Sequence, residues 1–149
     1  MELNLQGKTA IITGGSRGLG AAICARLARE GANVLFTYVT SRDKAESLAA
    51  DLSAQYDIRA EAFRADVSVE ADVLALFHHG SEHLGTIDVL VNNAGVCPMS
   101  PIKDTSLDEW NHVMAVNMGG VFLCCREMIR HAVAAAKPAS IVNIASATA

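Results

Sequence analysis

Five short runs of apolar and β-branched residues alternate along the chain with longer stretches whose apolar residues recur every three or four positions. The runs are TAIIT (9–13), NVLFTYV (33–39), AEAFRA (60–65), DVLVNN (88–93) and SIVNIA (140–145), and each predicts a strand. Between them, Leu19, Ile23 and Leu27, then Ala45, Leu48 and Leu52, then Val69, Val73 and Leu76 mark amphipathic crossover helices. Ser106 with Glu109 three positions later has the form of a capping box ahead of Trp110, Val113, Met114 and Val116, which opens a long fourth helix.

Most of the strand runs are continuously apolar, as expected of strands covered on both faces. The pattern therefore predicts an α/β fold, a doubly wound parallel sheet of the Rossmann-like type with helices on both sides. The third run departs from this with Glu61 and Arg64, which fit an edge strand. No internal repeat, low-complexity tract or linker interrupts the order, so residues 1–149 read as one domain.

Charge and composition narrow the classes of partner. With 12 Lys plus Arg against 16 Asp plus Glu, a net charge of −4, and no basic block, no nucleic acid partner is expected. Apolar residues make up 51% of the chain but never run for the ~18 positions of a membrane span. The opening MELNLQGK lacks the apolar core of a signal peptide, so no membrane association and a cytoplasmic location are expected. Cys24, Cys97, Cys124 and Cys125 lack paired C-x-x-C spacing and read as reduced core thiols. His79 and His83, at i and i+4 beside His78, share a helix face suited to a metal. No third ligand or acidic partner is evident for them, and no metal site is assigned. Trp110 and the Cys124–Cys125 pair read as core.

The stretch TGGSRGLG (13–20) joins the first strand to the first helix. Glycines at 14, 18 and 20 suit a sharp turn, close approach of a ligand to the backbone, and tight packing of helix on sheet. The unpaired N–H groups opening that helix carry partial positive charge, which stabilises a pyrophosphate. A P-loop is excluded, because no G-K-[ST] follows the glycines.

Three further segments follow in order: NNAG (92–95), MAVNMGG (114–120) and IVNIAS (141–146). With the glycine turn, they give a sequence that closely resembles the short-chain dehydrogenase/reductase family, in particular its 3-oxoacyl-carrier-protein reductase-like members. The resemblance implies that Gly14, Ser16, Arg17, Gly18, Leu19 and Gly20 form a pyrophosphate turn, that Asp66 and Val67 flank an adenine, and that Asn93, Ala94 and Gly95 line the cofactor. The bland alternative for Asn93 to Gly95 is a strand-end turn, which the same residue types also suit.

Tyr38 occupies the place at the end of the second strand where a carboxylate would favour NAD. An acid about 4 Å from a 2′-phosphate would cost roughly 4 kcal/mol at an effective dielectric near 20. With no negative charge at Tyr38, and with Arg17 from the glycine turn and Arg42 or Ser41 as the residues to reach a phosphate, NADP(H) is favoured over NAD(H). The rival reading makes the two arginines solvated surface groups.

At the chemical end, the resemblance makes Ser146 the hydroxyl that holds a carbonyl oxygen and Asn117 the helix-interrupting residue that holds a water in a proton relay. A cap and a plain kink are the structural alternatives. The family's Tyr-x-x-x-Lys motif lies beyond this serine, past the last residue of the chain. Neither Tyr38 nor Tyr56 matches it. The expectation is a fold truncated after its fifth strand, with strands six and seven of the family's order 3-2-1-4-5-6-7 missing and SIVNIA left as an apolar edge. These 149 residues alone then bind NADPH but do not turn over a small-molecule carbonyl or alcohol. A complete enzyme would pair subunits through its fourth and fifth helices. A non-catalytic nucleotide-binding module, or a partner of a full-length relative, is the alternative reading.

Overall fold

In the computed structural model, which describes residues 4–146, β1 (Thr9–Ile12) is buried at every residue. It lies at the centre of a five-stranded parallel sheet with the order β3-β2-β1-β4-β5. The other strands are β2 (Asn33–Tyr38), β3 (Ala60–Arg64), β4 (Val89–Asn92) and β5 (Ser140–Asn143). Ile11 aligns with Leu35 on one side and Leu90 on the other, so the strand order reverses between β1 and β4. In such sheets ligands bind at that reversal, outside the carboxyl ends of the strands.

The alternation of side chains along each strand sorts them into two cores. Ala10, Ile12, Val34, Phe36 and Val91 face α1 (Gly18–Arg29) and α2 (Arg42–Tyr56), packing on Cys24, Ala28, Ala45 and Leu52. Ile11, Leu35 and Leu90 face α3 (Glu70–Leu84) and α5 (Gly120–Ala135), packing on Val73, Leu76, Cys124 and Met128. Helices on both faces make the sheet doubly wound, as the apolar pattern predicts. The runs read from sequence end one residue later than β1 to β4, and three of those trailing residues, Val39, Ala65 and Asn93, line the cleft described below.

The predicted fourth helix is built in three pieces: α4 (Leu107–Met114), a π-helical turn (Ala115–Gly119) and α5. Ser106 caps α4 through Glu109 N–H, which donates to its Oγ at 3.1 Å. The return half of the capping box is replaced, since the Glu109 carboxylate accepts from Ser100 Oγ at 2.8 Å.

Two expectations of burial fail. Trp110 is 51% exposed, because α4 contributes no buried residue to either core. Of the cysteines, only Cys24 and Cys124 are core thiols, whereas Cys97, on the irregular segment after β4, is exposed and Cys125 is half-buried. The edge assignment of the third run holds for β3. At the opposite edge all four residues of β5 are exposed.

Candidate functional site

The carboxyl ends of β1 to β4 open into a cleft of about 570 Å³, within the size range of small-molecule sites. Its floor is the glycine turn, which is held by side chains from both neighbouring strands. Thr37 Oγ1 on β2 accepts from Gly14 N–H at 2.9 Å. Thr13 Oγ1 accepts from the N–H groups of Asn93 and Ala94, both at 3.0 Å. Asn93 Nδ2 in turn donates to the carbonyls of Thr13 and Gly14, again at 3.0 Å each. Both threonines are buried, and every one of these hydroxyl and amide groups has a partner, as burial requires.

Two glycines are dictated by contact. Gly14 has φ +65°, and a Cβ there would stand 3.0 Å from Ala94 Cα. At Gly20 a Cβ would collide with the Gly14 carbonyl oxygen and lie 2.6 Å from Asn93 Nδ2. The tight seat of α1 against the turn is therefore open to glycine alone. No side chain caps the start of α1, and its first turn holds no acidic residue. Its first N–H groups and the positive end of its dipole are left for an anion.

Most of the residues expected to hold a cofactor do meet in this cleft. Gly14, Ser16, Arg17 and Gly18 line it from the turn, Tyr38 and Ser41 from the end of β2, Asp66 and Val67 from the loop after β3, and Asn93, Ala94 and Gly95 from the end of β4. Leu19 is not among the residues lining it; its side chain is 58% exposed at the start of α1. Gly20 lies beneath the turn rather than on the wall, with packing as its role. Arg42 is turned away, paired with Glu46 at 2.7 Å on the helix surface.

Asp66 is kept ionised. Its Oδ1 accepts from Ser68 Oγ at 2.6 Å and Ser68 N–H at 2.9 Å. The hydroxyl bond is the main cause that holds its carboxyl below the ordinary aspartate value. Its own N–H donates to Asp72 Oδ2 at 2.8 Å, which fixes the loop.

The two residues expected at the chemical end are not part of the same wall. Asn117 sits in the π-helical turn and makes a two-way clamp on Val96: its Oδ1 accepts from Val96 N–H at 2.9 Å and its Nδ2 donates to Val96 O at 2.8 Å. The helix is interrupted at this asparagine, and the asparagine ties the interruption to the segment leaving β4. Ser146 is exposed just past β5, whose ladder on β4 reaches Ile144 N–H, a donor to Asn92 O at 2.9 Å.

Sequence reasoning missed Thr13, Thr37 and His112. A hydroxyl inside a buried apolar run must find a partner, and that was the available signal for the two threonines. His112 reaches the cleft from α4, and only the packing of the helix reveals it.

The histidine pair outside the cleft has an acidic partner after all. Glu61 on β3 lies across from α3, with Oε2 2.6 Å from His79 Nε2 and 3.8 Å from His83 Nδ1. The sheet brings together residues that the sequence separates. The helix runs through His83 to Leu84.

With this geometry in place, comparison with known proteins is informative. A family model described as "short chain dehydrogenase" matches residues 8–149. A 3beta-hydroxysteroid dehydrogenase 1 of Eggerthella lenta is 38% identical over 143 residues, covering 96% of this chain and 54% of the relative. Among solved structures, a blue fluorescent protein from a metagenomic library in complex with NADPH superposes with a TM-score of 0.85 at 39% identity, covering 96% of this chain and 57% of that one. A short chain dehydrogenase from Burkholderia cenocepacia in complex with NADP gives a TM-score of 0.82 at 39% identity, covering 85% and 51%. The chain spans about half the length of these relatives.

Proposed function

This chain belongs to the short-chain dehydrogenase family, and from that premise we propose that it binds NADP(H) in the cleft at the carboxyl ends of β1 to β4, as the coenzyme-holding part of an oxidoreductase acting on a carbonyl or alcohol. The observation that carries the reading is the uncapped start of α1 above a glycine turn that three side chains hold in place. The residues fit the group. Gly14 and Gly20 let the turn, the end of β4 and the start of α1 close on one another where a Cβ would clash, and the free N–H groups this presents to the cleft suit a pyrophosphate. Asp66, ionised and accepting, suits a donor on an adenine edge. The complexes with NADPH and NADP among the similar structures support a nicotinamide coenzyme.

Preference for the phosphorylated form rests on charge. Tyr38 brings no negative charge to the end of β2, while Arg17 and Ser41 line the same cleft. A guanidinium is suited to a phosphate by its forked donors. Arg42, occupied by Glu46, is left out of this role.

When bound, the nicotinamide supplies the hydride chemistry. This chain's own residues bind and orient it. Asn117 fixes the segment after β4 that borders the cleft, and Ser146, beyond β5, is the candidate hydroxyl for a substrate oxygen. The motif set resembles the 3-oxoacyl-carrier-protein reductases, which makes a 3-oxoacyl thioester the first substrate to try. Tyr38 is buried in the cleft wall and Tyr56 ends α2, so neither serves as a proton donor beside Ser146. These 149 residues are proposed to bind coenzyme without turnover. Uncovered apolar residues on α4, the π-helical turn and α5, among them Trp110, Met118 and Phe122, support assembly with further protein.

Calorimetric titration with NADPH and NADH tests the reading. Saturable binding with NADPH the tighter ligand is expected, and Arg17→Gln should weaken NADPH by ~10- to 100-fold, the loss of one charge-assisted contact. Equal affinity for the two forms overturns the preference. No heat with either overturns the coenzyme reading as a whole.

A further inference from the structure

The cluster of Glu61, His79 and His83 lies away from the coenzyme cleft. Glu61 is the second residue of β3 and pairs with Leu35, three residues before Arg64, so it sits ~10 Å along the strand from the end that opens into the cleft. His79 and His83, four residues apart, project from one face of α3.

Three features distinguish the cluster from an ordinary surface ion pair. The donor atoms of all three residues lie within 4.8 Å of one another. The imidazoles are stacked, with centroids 4.0 Å apart and planes at 29°, and Phe63 flanks His79 with ring centroids 4.9 Å apart, so His79 is held between two rings. The third feature is the His83 Nδ1 to Glu61 Oε2 distance of 3.8 Å. That is too long for a hydrogen bond. It slightly exceeds the roughly 3.3–3.6 Å between two atoms each bonded at about 2.0–2.2 Å to a shared tetrahedral ion, a gap that a small side-chain movement closes.

Electrostatics and access agree. Among the described residues Glu61 pairs with no lysine or arginine. Arg59, the nearest cation in sequence, donates instead to the His83 and Leu84 carbonyls at 2.6 and 3.3 Å, pinning the end of α3 beside β3. His78 and Glu82 pair with each other at 3.4 Å and stay out of the cluster. The side chains keep 32% (Glu61), 25% (His79) and 52% (His83) of their surface, enough for an ion to enter and retain water.

We propose that Glu61, His79 and His83 form a binding site for one borderline divalent transition-metal ion of the zinc, nickel or copper class. Two imidazoles and a carboxylate suit these ions, and calcium or magnesium would require more oxygen ligands. Binding needs the proton shared by His79 and Glu61 to leave and the two side chains to part slightly, while His83 closes on the ion. The ion then staples the edge strand β3 to α3. This site stands or falls independently of the coenzyme reading.

The test uses the 149-residue chain without a polyhistidine tag, stripped with chelator and titrated with zinc chloride at neutral pH by calorimetry. Cobalt absorption and thermal unfolding provide parallel readouts. One ion per chain and a raised unfolding midpoint are expected. Glu61→Gln and His83→Ala should each weaken binding by on the order of 10- to 100-fold or more while leaving metal-free unfolding nearly unchanged. His78→Ala should bind as the unaltered chain does. No stoichiometric binding overturns the site. So does zinc affinity that survives both cluster substitutions, which would place the ion on thiols such as the exposed Cys97.

Discussion

At one edge of the sheet, β3 is half-buried, carries Glu61 and Arg64, and is linked to α3 through the histidine cluster. At the other, β5 is exposed at every residue, and Ile141, Val142 and Ile144 retain 37%, 46% and 42% of their surface. The helices repeat the contrast. α1 to α3 bury their apolar stripes in the two cores, whereas Phe122, Ile129 and Val133 on the outer face of α5 remain 61%, 56% and 74% exposed. Charge on an edge strand opposes further pairing, and an apolar edge invites it. The side built on β1 to β3 and α1 to α3, which supplies most of the cleft, is thus self-contained, while the flank formed by α4, α5 and β5 presents an apolar surface of the kind that marks contact with other protein.

Substitutions on either side of this division should behave differently. Phe36→Ala, at a fully buried residue beneath Gly15, should cost ~3–5 kcal/mol in urea unfolding. Thr13→Val leaves the half-buried amides of Asn93 and Ala94 without their acceptor, for a loss of about 1–3 kcal/mol in all and weaker coenzyme binding. A cost near zero would mean that the turn does not depend on that hydroxyl.

The inner face of α5 offers a pH test. His131 Nε2 accepts from Ile87 N–H at 2.9 Å, and burial pushes its pKa below the ordinary 6.5. The folded chain favours the neutral ring, so this contribution is complete above about 6.5 and is lost as pH falls below that value. His131→Gln, which keeps an acceptor but does not titrate, should flatten the acid side of the stability profile measured by unfolding. Smallest of all, Met118→Lys at a residue 61% exposed should change stability by no more than ~0.5 kcal/mol while raising solubility. A large loss there would show that the outer flank is packed after all.

The parallel sheet, its two helix layers and most of the cleft were legible in sequence because they rest on local signals. Apolar runs give strands, three- and four-residue spacing gives helices, and glycines mark the turn. What was not legible depends on elements remote in sequence. Glu61 and His79 are 18 residues apart and touch only because β3 lies against α3. Thr37 and Gly14 meet across two strands. Trp110 has the right spacing for a core residue, yet its burial depends on whether a layer covers α4. Arg42 shows the same limit from the other side: its place near the end of β2 suggests the cleft, but Glu46 one turn along the helix captures it.

Cys24 lies directly under the glycine turn, where its thiol donates to the Gly15 carbonyl at 3.8 Å, and burial pushes its pKa up to about 12, as for Cys124. Only the thiolate reacts, so each buried sulfur stays silent until the layer above it lifts, while Cys97 answers at once. The four thiols thereby form a built-in clock: the delay between the first alkylation and the later ones times how often each layer breathes open, and a ligand that settles on the turn should lengthen the wait at Cys24 alone.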